Sequence, residues 1–328
     1  MKRNWNLTGI TALIGLLVLI FDSRRAVEGA EAGIILCIHT VIPSLFPFFI
    51  ISMLLTGSLQ GCNSFFLRGL ANMMKIPESA APVLIPAFLG GYPVGAKSVG
   101  DLYKSRVISK PDAERMLAFC SNAGPSFLFG MVSAYFPDIR TVCLLWFIHI
   151  AGAVMTAFVL PVSSPRCSSC GTDLSSYRRS DIMLSGLKAI GIVCGWVIIF
   201  RIIISFLESW FFWFIPQWLQ VLLTGILELS NGCCELMQIS DISKRFVICS
   251  CMLSLGGICV LMQTRSVVNG LPIRNYVMGK LLQTGFCFLL SCGAVFENGW
   301  IFGGIIPIIL IILRKIKNRC GNPGCFPV

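Results

Sequence analysis

One short stretch, Gly90 to Lys97, constrains the fold of this chain more than any other. It reads GGYPVGAK and follows an apolar run from Ala80 to Leu89. Three glycines and a proline within six residues cannot form the interior of an ordinary helix. Non-helical backbone at membrane depth is tolerated only where it is buried in protein or lines a polar cavity. The stretch therefore predicts a broken membrane segment, and the lysine at its end predicts a binding site.

The composition indicates a polytopic α-helical membrane protein. Of the 328 residues, 55% are hydrophobic and only 12% are charged, whereas soluble domains carry about 25% charged residues. Long apolar runs, rather than alternating segments of about ten residues, exclude an outer-membrane barrel. The net charge of +11 indicates basic cytoplasmic loops. No nucleic-acid partner is predicted, because the sequence has no basic face with interleaved aromatic residues.

Apolar runs predict the order of the membrane segments. Leu7–Phe21 is the first helix, and Ala32–Leu55 is a second span that Pro43 and Pro47 are expected to kink, because each removes a backbone donor. Interrupted segments are predicted at Ala80–Ser109, Asp112–Tyr135, Val221–Gly232 and Phe246–Met262. Uninterrupted spans are predicted at Thr141–Leu160, Gly186–Leu207, Tyr276–Cys292 and Trp300–Leu313, and a short amphipathic surface helix at Phe65–Ile76.

The breaks recur at a nearly constant spacing. Each half has two Gly-rich breaks followed by a plain span. The first breaks, at Gly91 and Gly225, are 134 residues apart, and the second breaks, at Gly124 and Gly257, are 133 apart. The plain spans begin at Thr141 and Tyr276, which are 135 residues apart. Interrupted segments at corresponding positions of two halves are a pointer to a transporter site between inverted repeats. The predicted fold is therefore all-α, with two inverted repeats built from broken helices or re-entrant hairpins.

The domain organisation follows from this spacing. A single transmembrane domain is predicted over residues 1–328, with repeat one at about 32–160 and repeat two at about 186–313. The loop 163–181 contains Arg166, Arg178 and Arg179, and a basic tail occupies 314–328. Because lysine and arginine collect in cytoplasmic loops, both the loop and the tail are predicted to lie in the cytoplasm.

The breaks supply the candidate substrate-binding residues, because half-helix ends and unwound backbone form the sites of such folds. In the first half these candidates are Gly91, Tyr92, Pro93, Gly95, Lys97, Asn122, Gly124, Pro125 and Ser126. In the second half they are Glu228, Ser230, Asn231, Gly232, Gly256, Gly257 and Gln263.

Charged residues inside predicted membrane segments are costly and are functional hypotheses by default. Glu228 is one of them, and three roles stay open for it: an ion pair with Lys97 or Arg201, a carrier of a coupling proton, or a cation ligand. Arg201 is expected to form a structural ion pair, with Glu208 too close in sequence to be an obvious helical partner. His149 is expected to pack between helices rather than to act as a ligand.

The chain contains sixteen cysteines, most of them in apolar runs where a thiol behaves as a small hydrophobe. Two pairs, Cys167 with Cys170 and Cys320 with Cys325, are weak candidates for a zinc site. No cofactor is predicted, and the coupling ion stays open. No Walker, GxSxG or HExxH motif is present, so an enzyme is not predicted and any transport is secondary, facilitated or driven by a partner.

Four stretches resemble a known family: Gly91–Lys97, Asn122–Phe127, Gly225–Gly232, and Ser254–Gly257 with Gln263. In order and spacing they are similar to the YlbJ-type sporulation integral membrane proteins, within the nucleoside-recognition (Gate) domain families. The resemblance implies broken-helix repeats related to concentrative nucleoside transporters. It also implies a role in endospore formation, in which YlbJ-type members are associated with moving dipicolinate, a small aromatic dianion.

The expected function is transport of a small anionic metabolite, with dipicolinate as the substrate that the resemblance implies. On this hypothesis Lys97→Ala abolishes uptake while the protein still inserts. The alternatives are a nucleoside-type permease and a non-transporting membrane scaffold for spore cortex or coat assembly. The expected surroundings are the lipid bilayer of the bacterial cell membrane or forespore membrane, and the partners left open are a second copy of the chain or other sporulation membrane proteins.

Overall fold

A computed structural model describes residues 7–59, 65–161, 179–268 and 270–296, and this part of the chain is helical without a strand. Its α-helices are, in chain order, α1 Leu7–Phe21, α2 Ser23–Leu36, α3 Ile42–Leu59, α4 Phe65–Met74, α5 Leu84–Phe88, α6 Val94–Lys104, α7 Lys110–Leu117, α8 Pro125–Gly130, α9 Ile139–Val159, α10 Arg179–Trp210, α11 Gln217–Leu227, α12 Leu229–Cys234, α13 Ile242–Leu255, α14 Gly257–Val267 and α15 Arg274–Val295.

Five helical segments in the described residues are long and apolar enough to cross a membrane: Ser23–Leu55, Ile139–Val159, Ile182–Trp210, Ile242–Val267 and Arg274–Val295. This confirms the prediction of an all-α protein with several membrane spans. The predicted span Trp300–Leu313, the basic tail and all but the last three residues of the loop 163–181 lie outside the described residues.

The predicted breaks are confirmed in both halves. In the first half, residues 89–93 separate α5 from α6, and residues 118–124 separate α7 from α8. In the second half, Glu228 alone separates α11 from α12, and Gly256, with a φ of 76°, separates α13 from α14. Residues at the helix starts explain where two of these helices begin. Pro125 is the first residue of α8, a position at which its missing N–H is not needed. At the start of α13, the Asp241 carboxylate accepts hydrogen bonds from the N–H groups of Ser243 and Lys244.

The second span differs from its prediction in two ways. It begins at Ser23, nine residues before Ala32, because charged residues continue the helix beyond the apolar run; Arg24, for example, pairs with Glu28 at 3.0 Å. Its kink takes the form of a π-helical turn at Cys37–Val41, between α2 and α3. Pro43 follows that turn and has no N–H to donate to the carbonyl of His39. The regular i→i−4 hydrogen bond is therefore missing there, and i→i−5 bonds of a π-helical turn precede the proline.

In the described residues the two halves share the same order of broken and unbroken helices. Each contains a helix broken into α5 and α6 or α11 and α12, a second broken helix, and then an unbroken span, α9 or α15. His149 of α9 and Gln283 of α15 are 134 residues apart, close to the spacing of the breaks, and Gln283 donates to the His149 carbonyl at 3.2 Å. This hydrogen bond joins the two unbroken spans α9 and α15.

Helices α2 and α10 pack closely because glycines remove the side chains between them. A Cβ atom on Gly29 would lie 2.8 Å from Ser205 Oγ, and one on Gly33 would lie 3.0 Å from Ile198 Cα. Glycines four residues apart lie on one helix face, and in membrane proteins such faces let helix backbones approach. The crossing places the two long helices that lead into each set of broken helices side by side.

Buried apolar residues form two clusters. One surrounds the breaks and includes Phe49, Leu145 and Phe246. The other packs α4, α6 and α7 against the start of α15 and includes Leu117 and Tyr276. The large apolar side chains that remain exposed on α1, α2 and α10 are those that a bilayer would cover.

Gly33→Leu is expected to destabilise the protein by about 1–3 kcal/mol, because the new side chain enters the α2–α10 contact. The measurement is the unfolding temperature of the purified protein in detergent. Gly191→Leu is the matched control: it lies on α10, and a Cβ atom there would meet no other atom within 4 Å, so the substitution changes helix propensity without adding a clash. Equal unfolding temperatures for the two variants would contradict the close crossing.

Candidate substrate-binding site

A small cavity lies where the breaks of the two halves meet. Its volume is about 30 Å³, room for about two water molecules. A ring compound therefore enters only if the walls move. The lining residues are Val41, Leu45, Tyr92, Ala123, Gly124, Phe127, Val193, Val197, Glu228, Leu229, Ser230, Val260 and Gln263.

Five of the predicted substrate-binding residues line this cavity: Tyr92, Gly124, Glu228, Ser230 and Gln263. They come from both halves, so the structure brings the broken segments together at one place. The others that lie in or beside the breaks without lining the cavity are Gly91, Pro93, Gly95, Asn122, Pro125, Ser126, Asn231, Gly232, Gly256 and Gly257.

Glycines allow the two breaks of each half to touch backbone to backbone. In the first half, a Cβ atom on Gly124 would lie 2.9 Å from the nitrogen of Gly91. In the second half, one on Gly257 would lie 2.8 Å from the carbonyl oxygen of Ile226. Gly91 and Gly257 both have a φ of 79°, in the left-handed region that favours glycine. In both halves, therefore, a glycine without a side chain lets the two breaks pack backbone to backbone.

Among the described residues, Glu228 is the only carboxylate in the cavity wall, and it is 2% exposed. Its oxygens accept hydrogen bonds from the backbone N–H of Ser230 at 3.1 Å, and from the N–H and Nδ2 of Asn231, each at 2.7 Å. The carboxylate thus caps α12, and it does so from inside the break. This local bonding explains why Ser230 and Asn231 follow Glu228 so closely in the sequence.

The ion pairs suggested for Glu228 are not formed. Lys97 Nζ lies on α6, outside the cavity wall, and is 2.6 Å from Asp101 one turn along the helix. This position does not support the anion-binding role predicted for Lys97. Arg201 instead pairs with Glu208, at 2.7 Å. The sequence argument against that pair was wrong, because seven residues are two helical turns, about 10.5 Å, which two long side chains can bridge.

Lys280 is a buried cation that the sequence argument missed. It lies on α15, within a segment predicted as a plain span, and is only 2% exposed. Its Nζ donates to the Ser121 carbonyl, to Gln283 Oε1 at 2.8 Å and to the Tyr92 hydroxyl at 3.3 Å. A lysine inside an apolar span was the available signal, since intramembrane ionisable residues mark functional positions.

A buried polar network extends from Lys280 through the second break of the first half. Gln283 Nε2 donates to Asn122 Oδ1 at 3.0 Å, and Asn122 Nδ2 donates to the carbonyls of Phe119 and Ala87. His149 Nε2 accepts the Ala123 N–H at 3.0 Å, which agrees with the expected packing role. Asn122 therefore satisfies the unwound backbone and joins it to the other half, instead of facing the cavity.

Metal ligands are not gathered in the part of the chain that the structure describes: no group of three or more His, Cys, Asp or Glu side chains there is placed to hold an ion. The weak zinc candidates Cys167, Cys170, Cys320 and Cys325 lie outside the described residues.

Comparison with known proteins bears on the resemblance that the broken segments suggested. The sporulation integral membrane protein YlbJ of Bacillus subtilis (strain 168) is 24% identical to this chain in an alignment that covers 81% of the chain and 76% of that protein. The chain resembles the YlbJ-type sporulation membrane proteins. The resemblance is thus confirmed, and with the apolar helices it makes the chain a multi-pass integral membrane protein. No protein-family model and no solved structure matches the chain.

Gly257→Ala is expected to destabilise the protein more than Gly270→Ala does. Both glycines have a φ near 80°, so alanine pays the left-handed backbone cost of about 1–2 kcal/mol at either position. Only at Gly257 would the new methyl also meet carbonyl oxygens, at 2.8 and 2.9 Å, whereas nothing lies within 4 Å at Gly270. Unfolding temperatures in detergent measure the difference, and equal losses would mean that the breaks of the second half are not in contact.

Proposed function

We propose that the protein is a secondary or facilitated membrane transporter of a small anionic metabolite, with dipicolinate as the substrate. The observation that supports this most is the cavity lined by Tyr92 and Gly124 from one half and by Glu228, Ser230 and Gln263 from the other. Sites in transporters of this type lie between repeats and are formed by discontinuous helices.

The free-energy cost of broken helices and buried ionisable side chains favours a transporter over a scaffold. Broken helices interrupt the backbone ladder at membrane depth, and Glu228 and Lys280 are both buried there. Irregular backbone and ionisable side chains are expensive in a bilayer and are found where they line or support a pathway. A scaffold that only holds partners needs neither feature.

The proposed mechanism is alternating access around two inverted repeats. The same order of elements in the two halves and the contact between His149 and Gln283 fit a two-fold relation. Because the cavity has a volume of only about 30 Å³, substrate entry requires its walls to move, and in alternating access that movement is of one half relative to the other. Such movement would open the wall on one side of the membrane at a time.

The substrate proposal combines the resemblance with the charge of the site. The sporulation protein YlbJ gives the biological setting, and dipicolinate is the small dianion associated with that family. Lys280, which hydrogen-bonds the cavity residue Tyr92, can supply a positive charge to an anion. The polar groups of Glu228, Ser230 and Gln263 can hydrogen-bond the rest of a small polar molecule.

Uptake into liposomes that contain the purified protein tests this function. We expect radiolabelled dipicolinate to accumulate in these liposomes and not in protein-free ones, with unlabelled dipicolinate competing and nucleosides failing to compete. Uptake of nucleosides alone would replace the proposal with the permease alternative. Uptake of neither compound, by protein that is folded and inserted, would favour the scaffold.

Glu228→Gln is expected to reduce dipicolinate uptake at least tenfold. An amide offers one acceptor oxygen to the three donors that the Glu228 carboxylate now satisfies, so the cap of α12 that holds this part of the cavity wall is weakened. Initial uptake rates, normalised to inserted protein, measure the effect. Glu78→Gln is the control, because Glu78 is exposed and pairs with Arg68 away from the cavity. A loss that merely follows a lower protein level would instead fit the scaffold.

A further inference from the structure

Lys280 has no carboxylate partner among the described residues. Its partners are a carbonyl, a carboxamide and a phenol, and it lies between the rings of Tyr92 and Tyr276, with Nζ 5.1 and 6.0 Å from their centres. Hydrogen bonds and aromatic rings solvate an ammonium group only in part. A buried lysine without a carboxylate partner can therefore form an ion pair with an incoming carboxylate.

Two other buried cations show what a purely structural role looks like in this fold. Arg115 donates to the carbonyls of Met74, Lys75 and Ala157, and Arg245 donates to those of Ile239 and Tyr135. Each of them ties loop or helix-end carbonyls together. Lys280 differs, because two of its three partners are side chains and one of these, Tyr92, lines the cavity.

Tyr92 is the partner that a ligand can replace. Its contact with Lys280 Nζ is 3.3 Å, the longest of the three, and Tyr92 lines the cavity whereas Lys280 does not. Its hydroxyl donates to the carbonyl of Leu253 at 2.9 Å, next to the Gly256 break. Tyr92 of the first half thus makes two hydrogen bonds to residues of the second half, Leu253 and Lys280.

We propose that Lys280 is the cationic contact for a carboxylate of the transported substrate, which takes the place of the Tyr92 hydroxyl at Nζ. This inference rests on the proposed function and deepens it by naming the charged group that selects an anion. It also links binding to movement, because displacing Tyr92 releases its bond to Leu253 and so removes a contact between the halves.

The test compares a dianion with a neutral molecule of the same shape. Purified protein in detergent is titrated with dipicolinate and with pyridine-2,6-dicarboxamide, and the rise in unfolding temperature gives the two affinities. Lys280→Met is the main variant, since an apolar side chain of similar length can replace a buried charge without loss of folding. Lys188→Met is the matched control, because Lys188 is an exposed lysine on the spanning helix α10.

We expect the natural sequence to bind dipicolinate and not the diamide, Lys280→Met to lose at least tenfold in dipicolinate affinity, and Lys188→Met to match the natural sequence. If dipicolinate is bound and transported but Lys280→Met keeps its affinity within twofold, the inference is wrong while the proposed function stands. Loss of affinity in Lys97→Met together with normal binding by Lys280→Met would also overturn it, in favour of Lys97. If the natural sequence neither binds nor transports dipicolinate, both proposals fail.

A second variant keeps the inference testable if Lys280→Met does not fold. Tyr92→Phe removes the hydroxyl that the substrate is proposed to replace and leaves the Lys280 ammonium in place. Its affinity for dipicolinate is expected to stay within threefold of the natural sequence or to rise. A loss of tenfold or more would mean that the hydroxyl itself binds the substrate, which contradicts its replacement at Lys280.

Discussion

Contact between broken backbones is the interaction on which the rest of this structure depends. Each half interrupts two helices at membrane depth, where unpaired N–H and C=O groups find no water. The breaks survive because they lie against each other, Gly124 on Gly91 and Gly257 on Ile226, and because Asn122 and Glu228 hydrogen-bond the freed backbone. The cavity is the space that remains where these paired breaks meet.

Much of the fold could be predicted because its signals are local. Glycine and proline mark the breaks in the sequence itself, and all four interrupted segments are found. The residues that line one cavity include Tyr92, Gly124, Glu228, Ser230 and Gln263, all of which lie in or near the predicted breaks. The start of the second span was misplaced because charged residues such as Arg24 and Glu28 extend the helix beyond its apolar stretch.

The electrostatics of the site could not be predicted in the same way, because they depend on partners that are distant in sequence or on side-chain direction. Lys97 follows a break directly, yet its side chain points along α6 to Asp101. Lys280 lies in an unbroken span, and its partners Ser121 and Tyr92 are 159 and 188 residues away. Position relative to a break therefore predicted which backbone segments form the site, but it did not predict that Lys280 lies beside it.

The crossing of α2 and α10 has a consequence for how the chain is made. Gly33 and the Ile198 backbone that it touches are 165 residues apart in the sequence. At about 5–20 residues per second, a ribosome needs roughly ten to thirty seconds to cover that distance. During this interval α10 has not yet been synthesised, so the glycine face of α2 lacks the helix that it contacts in the folded protein. The α2 face of the first half can therefore pack against α10 only after the ribosome has synthesised the beginning of the second half.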